Sequence, residues 1–85
     1  MKIKIMSPQH GDQTLELAPL EAAQRIIEEQ QAGRANFVKF SDGDVFNLMK
    51  KSGILAQLQE LKLRKVIEAK EEDVTATVVP NIAGG

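Results

Sequence analysis

An α+β fold is predicted by three features of this 85-residue sequence: two short alternating segments at its start, an amphipathic stretch opening at Pro19, and a β-branched run over residues 74–79. In Lys2-Ile3-Lys4-Ile5-Met6, polar and apolar residues alternate, so Ile3 and Ile5 share one face of a half-buried strand. Ser7-Pro8-Gln9-His10-Gly11-Asp12 is turn chemistry. Thr14-Leu15-Glu16-Leu17 alternates again, and the two segments form an antiparallel hairpin with Ile3, Ile5, Leu15 and Leu17 turned inward.

Pro19 suits the first turn of a helix, where its missing N–H costs little, and Glu21 places negative charge near the helix N-terminus. Leu20, Ala23 and Ile27, with Ala22 and Ile26 beside them, recur at helical spacing, while Glu21, Arg25, Glu28 and Glu29 take the outer face. Gly33 ends this helix as a left-handed cap.

Phe37-Val38-Lys39-Phe40 and Val45-Phe46-Asn47-Leu48 flank Ser41-Asp42-Gly43-Asp44 and read as a second hairpin. The phenylalanines, all in this hairpin, are read as core or half-covered sheet surface. After Ser52-Gly53, the residues Ile54, Leu55, Leu58 and Leu61 carry helical spacing and predict a second, shorter helix running to about Lys62. Residues 63–69 read either way: Val66-Ile67 favours strand, whereas Arg64, Lys65 and Glu68 suit a continued helix. The reading adopted is helix followed by loop. Lys70-Glu71-Glu72-Asp73 is a solvated connection, and residues 74–79 form a strand with Val74, Ala76 and Val78 on one face until Pro80 stops it.

The order strand, strand, helix, strand, strand, helix, strand predicts a β-grasp domain over residues 1–79. Its mixed sheet of four to five strands packs on one main helix and a second short one, with the last strand parallel to the first in the sheet interior. A chain of this length holds one core and no deep catalytic cleft. Its formal charge of −1 disfavours nucleic acid as a partner, and the absence of cysteine excludes disulfides, thiolate metal sites and Cys nucleophiles. His10 has no companion histidine and reads as a solvated turn residue; Asp42 and Asp44 lack the further ligands of a calcium loop. No apolar run is long enough to span a membrane and the N-terminus does not read as a signal peptide, so cytoplasmic residence without a membrane partner is expected.

Residues 80–85, Pro80-Asn81-Ile82-Ala83-Gly84-Gly85, are expected to be a flexible tail, because two glycines and an Asn bury too little apolar area to offset ordering entropy. Side chains that vanish toward a carboxylate suit one chemistry: the Gly85 carboxylate enters a narrow crevice of another protein and attacks the α-phosphate of ATP, with Gly84 giving it passage.

This ending resembles the Pro-Pro-Val-Ala-Gly-Gly type found in the small subunit of molybdopterin synthase and in related ubiquitin-like sulfur carriers, including the thiamine sulfur carrier. The resemblance covers the last six to eight residues and, in order of elements, most of the chain; Asn81 stands where the molybdopterin subunits usually have a second Pro. It implies a divergent carrier rather than an enzyme. Such a carrier binds no cofactor. It is activated at Gly85 by an E1-like adenylating enzyme that uses ATP, is charged there as a thiocarboxylate, and is docked on a sulfur-accepting enzyme. Gly84, Ala83, Ile82 and Pro80 would be the tail residues that pass into the partner's crevice. Two alternatives stay open: a modifier conjugated to lysine through Gly85, and an interaction or assembly module whose tail is never activated.

Overall fold

The computed structural model describes residues 1–7, 11–48 and 51–80. Strands β1 (Lys2–Ile5) and β2 (Gln13–Glu16) lead into helix α1 (Pro19–Gln31). Strands β3 (Phe37–Phe40) and β4 (Val45–Asn47), helix α2 (Gly53–Glu68) and strand β5 (Thr75–Val79) follow. The five strands form one mixed sheet in the order β2-β1-β5-β3-β4, with β5 parallel to β1 and antiparallel to β3. This is the β-grasp arrangement: the last strand lies in the sheet interior beside the first, as the element order predicts.

Strand register explains which face is buried. Ile3 pairs with Ala76 and Ile5 with Val78, while Val38 and Phe40 meet Val78 and Ala76 from the other side. Because side chains alternate along a strand, all six point to the same face, and all six are buried. Ala22, Ala23, Ile26 and Ile27 of α1 and Leu63 and Ile67 of α2 close over them in one continuous cluster. Leu15 and Leu17, expected to face inward, are half-buried against this cluster, as befits the edge position of β2. Val74, placed on the inward face by its spacing, is likewise half-buried just ahead of β5.

Two features of α1 depart from expectation. Leu20, predicted on the core face, is exposed, and Glu29, predicted outside, is buried. On a helical wheel these two residues lie at opposite margins of the stripe formed by Ala22, Ala23, Ile26 and Ile27; the helix is rolled toward Glu29. The helix end makes that burial tolerable. Gly33, with φ of 76°, lets the Gly33 N–H donate to the Gln30 carbonyl and the Arg34 N–H to the Glu29 carbonyl, the paired bonds of a Schellman cap. The cap turns Arg34 back over the last turn, where its Nε donates to Glu29 Oε2 at 2.6 Å while Arg25 Nε donates to Oε1 at 3.2 Å. An ion pair therefore occupies the place where such caps usually carry a hydrophobic contact.

Burial pushes the Glu29 carboxyl upward, but the hydrogen bonds and charges of Arg34 and Arg25 outweigh it, and the net displacement is downward from the ordinary 4.5. A carboxyl lowered in the folded state contributes stability that is present above its unfolded value and is lost as pH falls through the folded value. Glu29→Gln should therefore cost about 1.5–3 kcal/mol at neutral pH, the range for hydrogen bonds to charged groups. The gap from wild type should narrow as pH falls below about 4.5. Urea titrations at neutral and acid pH measure both; a gap that does not change with pH contradicts the assignment.

Helix α2 differs most from the sequence reading. It is not a short helix ending near Lys62: it spans 16 residues against 13 for α1, and it takes in Leu63 and Ile67. The buried positions are Gln59, Leu63 and Ile67, whereas Ile54, Leu55, Leu58 and Leu61, the expected core face, are exposed. Gln59 is accommodated because its Nε2 donates to the Asn47 carbonyl at 3.1 Å, tying α2 to the end of β4.

Candidate functional site

The β-branched run Thr75-Ala76-Thr77-Val78-Val79 favours strand, and β5 is hydrogen-bonded on both edges by β1 and β3. The pairing holds to the end of the strand: the Met6 N–H donates to the Val78 carbonyl at 3.1 Å and the Asn36 N–H to the Val79 carbonyl at 2.8 Å. Pro80 follows, half-buried and without an N–H to extend the ladder. The chain thus leaves the sheet from a central strand, at a point held from both sides. Val79 there shares a row with Phe37 and Asn47 across β5, β3 and β4.

Of the residues singled out from the sequence for tail chemistry, Pro80 is placed by the structure. Ile82, Ala83, Gly84 and Gly85, and with them the expected flexibility of the tail, lie outside the described residues, as does His10.

At the other end of the β3–β4 hairpin, the structure assembles a polar cluster that the sequence reading treated as solvated turns. The Asp42 carboxylate accepts from the Asp44 N–H at 3.1 Å and Gly43 adopts φ of 106°, which fixes the turn. Lys70, at the end of α2, lies over the Phe40 ring at 4.7 Å from its centroid and pairs with both Asp42, at 2.7 Å, and Asp44. Its side chain is buried against the hairpin rather than solvated. The hydrogen bonds that Lys70 donates to Asp42 and Asp44 hold the ammonium above its ordinary pKa, and Lys70 in turn holds the Asp42 carboxyl below its own. An amine kept charged in this way is unsuited to nucleophilic attack. The cluster clips the hairpin to the turn that follows α2, and Ser41 ties the same hairpin to the start of β5 by accepting the Thr75 N–H at Oγ and donating its own N–H to the Thr75 carbonyl.

Among the described residues, no group of three or more His, Asp or Glu side chains is placed to hold a metal ion, and no helix is long and apolar enough to cross a membrane. No protein-family model matches this chain, and among curated proteins and solved structures none is significantly similar to it. The likeness of its ending to sulfur carriers therefore rests on residues 80–85 and on the order of the elements before them.

Proposed function

We propose that this chain is a ubiquitin-like carrier whose Gly85 carboxylate is adenylated by an E1-like enzyme and then converted to a thiocarboxylate. The observation that carries the reading is the placement of the Pro80-Asn81-Ile82-Ala83-Gly84-Gly85 sequence directly after a central, doubly paired strand. A tail rooted at such a point can be drawn into a partner's crevice without disturbing the core, and its last two residues offer no Cβ to obstruct close approach. In the first step a Gly85 carboxylate oxygen attacks the α-phosphorus of ATP, and pyrophosphate leaves. In the second, a hydrosulfide equivalent attacks the acyl carbon and AMP leaves. The carrier supplies the carboxylate; the adenylating partner supplies nucleotide binding, metal and acid–base groups. A sulfur-accepting enzyme then consumes the product.

ATP–pyrophosphate exchange with the E1-like enzyme of the source organism tests the first step. Deleting Gly85, or replacing Gly84 by Val, should lower exchange by at least about a hundredfold, the usual penalty for misplacing a reacting atom. Stability should stay within about 0.5 kcal/mol of wild type, since a glycine has no side chain to contribute to a core. Intact-mass measurement of protein isolated from cells reads the second step: a gain equal to replacing one oxygen by sulfur is expected, whereas ladders of conjugates would replace this reading with that of a modifier. If the deletion variant is activated as well as wild type, or the intact chain is never activated, the interaction-module reading takes its place.

A further inference from the structure

Helix α2 carries two apolar stripes, and the core uses one of them. On a helical wheel Ile54, Leu58 and Leu61 point almost directly away from Leu63 and Ile67, and they are 73, 46 and 52% exposed, with Leu55 beside them at 58%. Single exposed leucines are ordinary, but four large apolar side chains on one helix face form a continuous patch of the kind that marks an interaction surface. Positions 54, 58 and 61 follow the four-three spacing by which one helix meets another. Between this stripe and β4 lies a notch of about 200 Å³, walled in part by Phe46, Leu55 and Leu58, with room for one anchoring side chain.

The charges around the stripe decide what covers it. Lys51, Lys62 and Lys65 border it, against one carboxylate, Glu68, one turn past Lys65; all three lysines are exposed, and among the described residues none pairs with a carboxylate. A second copy of the chain fits poorly. Two antiparallel α2 helices crossing at Leu58 would bring Lys51 of one against Lys65 of the other, and parallel helices would set each lysine against itself, so either pairing desolvates like charges. An anionic membrane would draw on net positive charge, whereas the chain carries −1 overall, and a lipid surface has no use for a one-side-chain notch.

We propose that the outward face of α2 docks an amphipathic helix of a partner protein. That helix presents apolar residues at four-three spacing, one of them entering the notch beside Phe46, and Asp or Glu residues that meet Lys51, Lys62 and Lys65. The docking is a property of α2 and holds whether or not Gly85 is activated.

The test uses the full chain and two synthetic helical peptides with identical leucines at four-three spacing, one flanked by Glu and the other by Lys. The Glu peptide should bind at least about tenfold more tightly, moving the amide resonances of Ile54, Leu55, Leu58 and Leu61, and added salt should weaken it. Leu58→Asp should reduce that affinity by about tenfold or more while the protein stays folded, its thermal midpoint falling by no more than about 8 °C. The double variant Lys62→Glu with Lys65→Glu, which leaves the apolar stripe intact, should reverse the preference between the peptides. Equal affinity for the two peptides, binding of neither, or a double variant that keeps the wild-type preference would overturn the proposal. So would a dimer in sedimentation that Leu58→Asp dissolves, or binding to phosphatidylserine vesicles in preference to the Glu peptide.

Discussion

Replacing Phe40 by Ala is expected to cost about 3–5 kcal/mol, close to the whole stability of a domain of this size. Phe40 is the largest of the fully buried side chains, with 1% of its surface exposed, and it stands on β3 opposite Ala76 of β5. Its removal would open a cavity where the sheet's two central strand pairs meet the helices, and the small Ala76 across from it cannot fill the space. The ring also supports Lys70, so the clip between α2 and the β3–β4 hairpin would lose its apolar floor. By the usual relation between free energy and melting for small domains, the midpoint should fall by roughly 12–40 °C. Phe40→Leu, which keeps most of the volume and loses the cation–π contact, should cost about 1–1.5 kcal/mol. Calorimetry distinguishes these outcomes, and equal midpoints for wild type and Phe40→Ala would mean that the core is organised around other residues.

The sheet was legible in the sequence because its signals are local. Alternation put Ile3 and Ile5 on one face, the Asp42-Gly43-Asp44 turn defined the second hairpin, and the β-branched residues up to Val79 permitted little except strand. Even the parallel pairing of β5 with β1 followed from element order, since a strand that returns after a helix runs beside the first most simply in that direction. Glu29 was not legible in this way. Its burial depends on Arg34, five residues later, being folded back by the Gly33 cap, and periodicity counts a glutamate as an outward residue regardless of its partners. Lys70 was missed for a related reason: its carboxylate partners lie 28 and 26 residues earlier in the chain and meet it through tertiary structure alone.

For α2 the difficulty lay in a surplus of signal. From Ile54 to Leu61 the apolar spacing is regular, and a helix taken to end near Lys62 has that stripe as its natural core face. Extended to Glu68, the same helix offers a second stripe through Gln59, Leu63 and Ile67, nearly opposite the first. Both satisfy helical periodicity, so the choice between them falls to packing. The second stripe wins because Leu63 and Ile67 fill the cluster between α1 and the sheet, while Gln59 finds an acceptor at Asn47. Whether residues 63–68 are helical thus decides which face of the whole helix is buried.

That orientation yields the second large effect, as a contrast between near neighbours. Leu63→Ala should cost about 2–5 kcal/mol, because Leu63 is wholly buried and its loss leaves a cavity under α2. Leu61→Ala, two residues away, should change stability by no more than about 0.5 kcal/mol, since its side chain is 52% exposed and an alanine there even favours the helix. Had the helix been oriented as its first stripe suggests, the two results would be exchanged. Urea unfolding of both variants with a common m-value makes the comparison direct, for a change in midpoint without a change in slope reports stability alone. A Leu61→Ala variant that loses as much as Leu63→Ala would place the outward stripe inside a stable self-association, and the loss would then depend on protein concentration. If it loses that much at every concentration, the outward face of α2 is part of the monomer core.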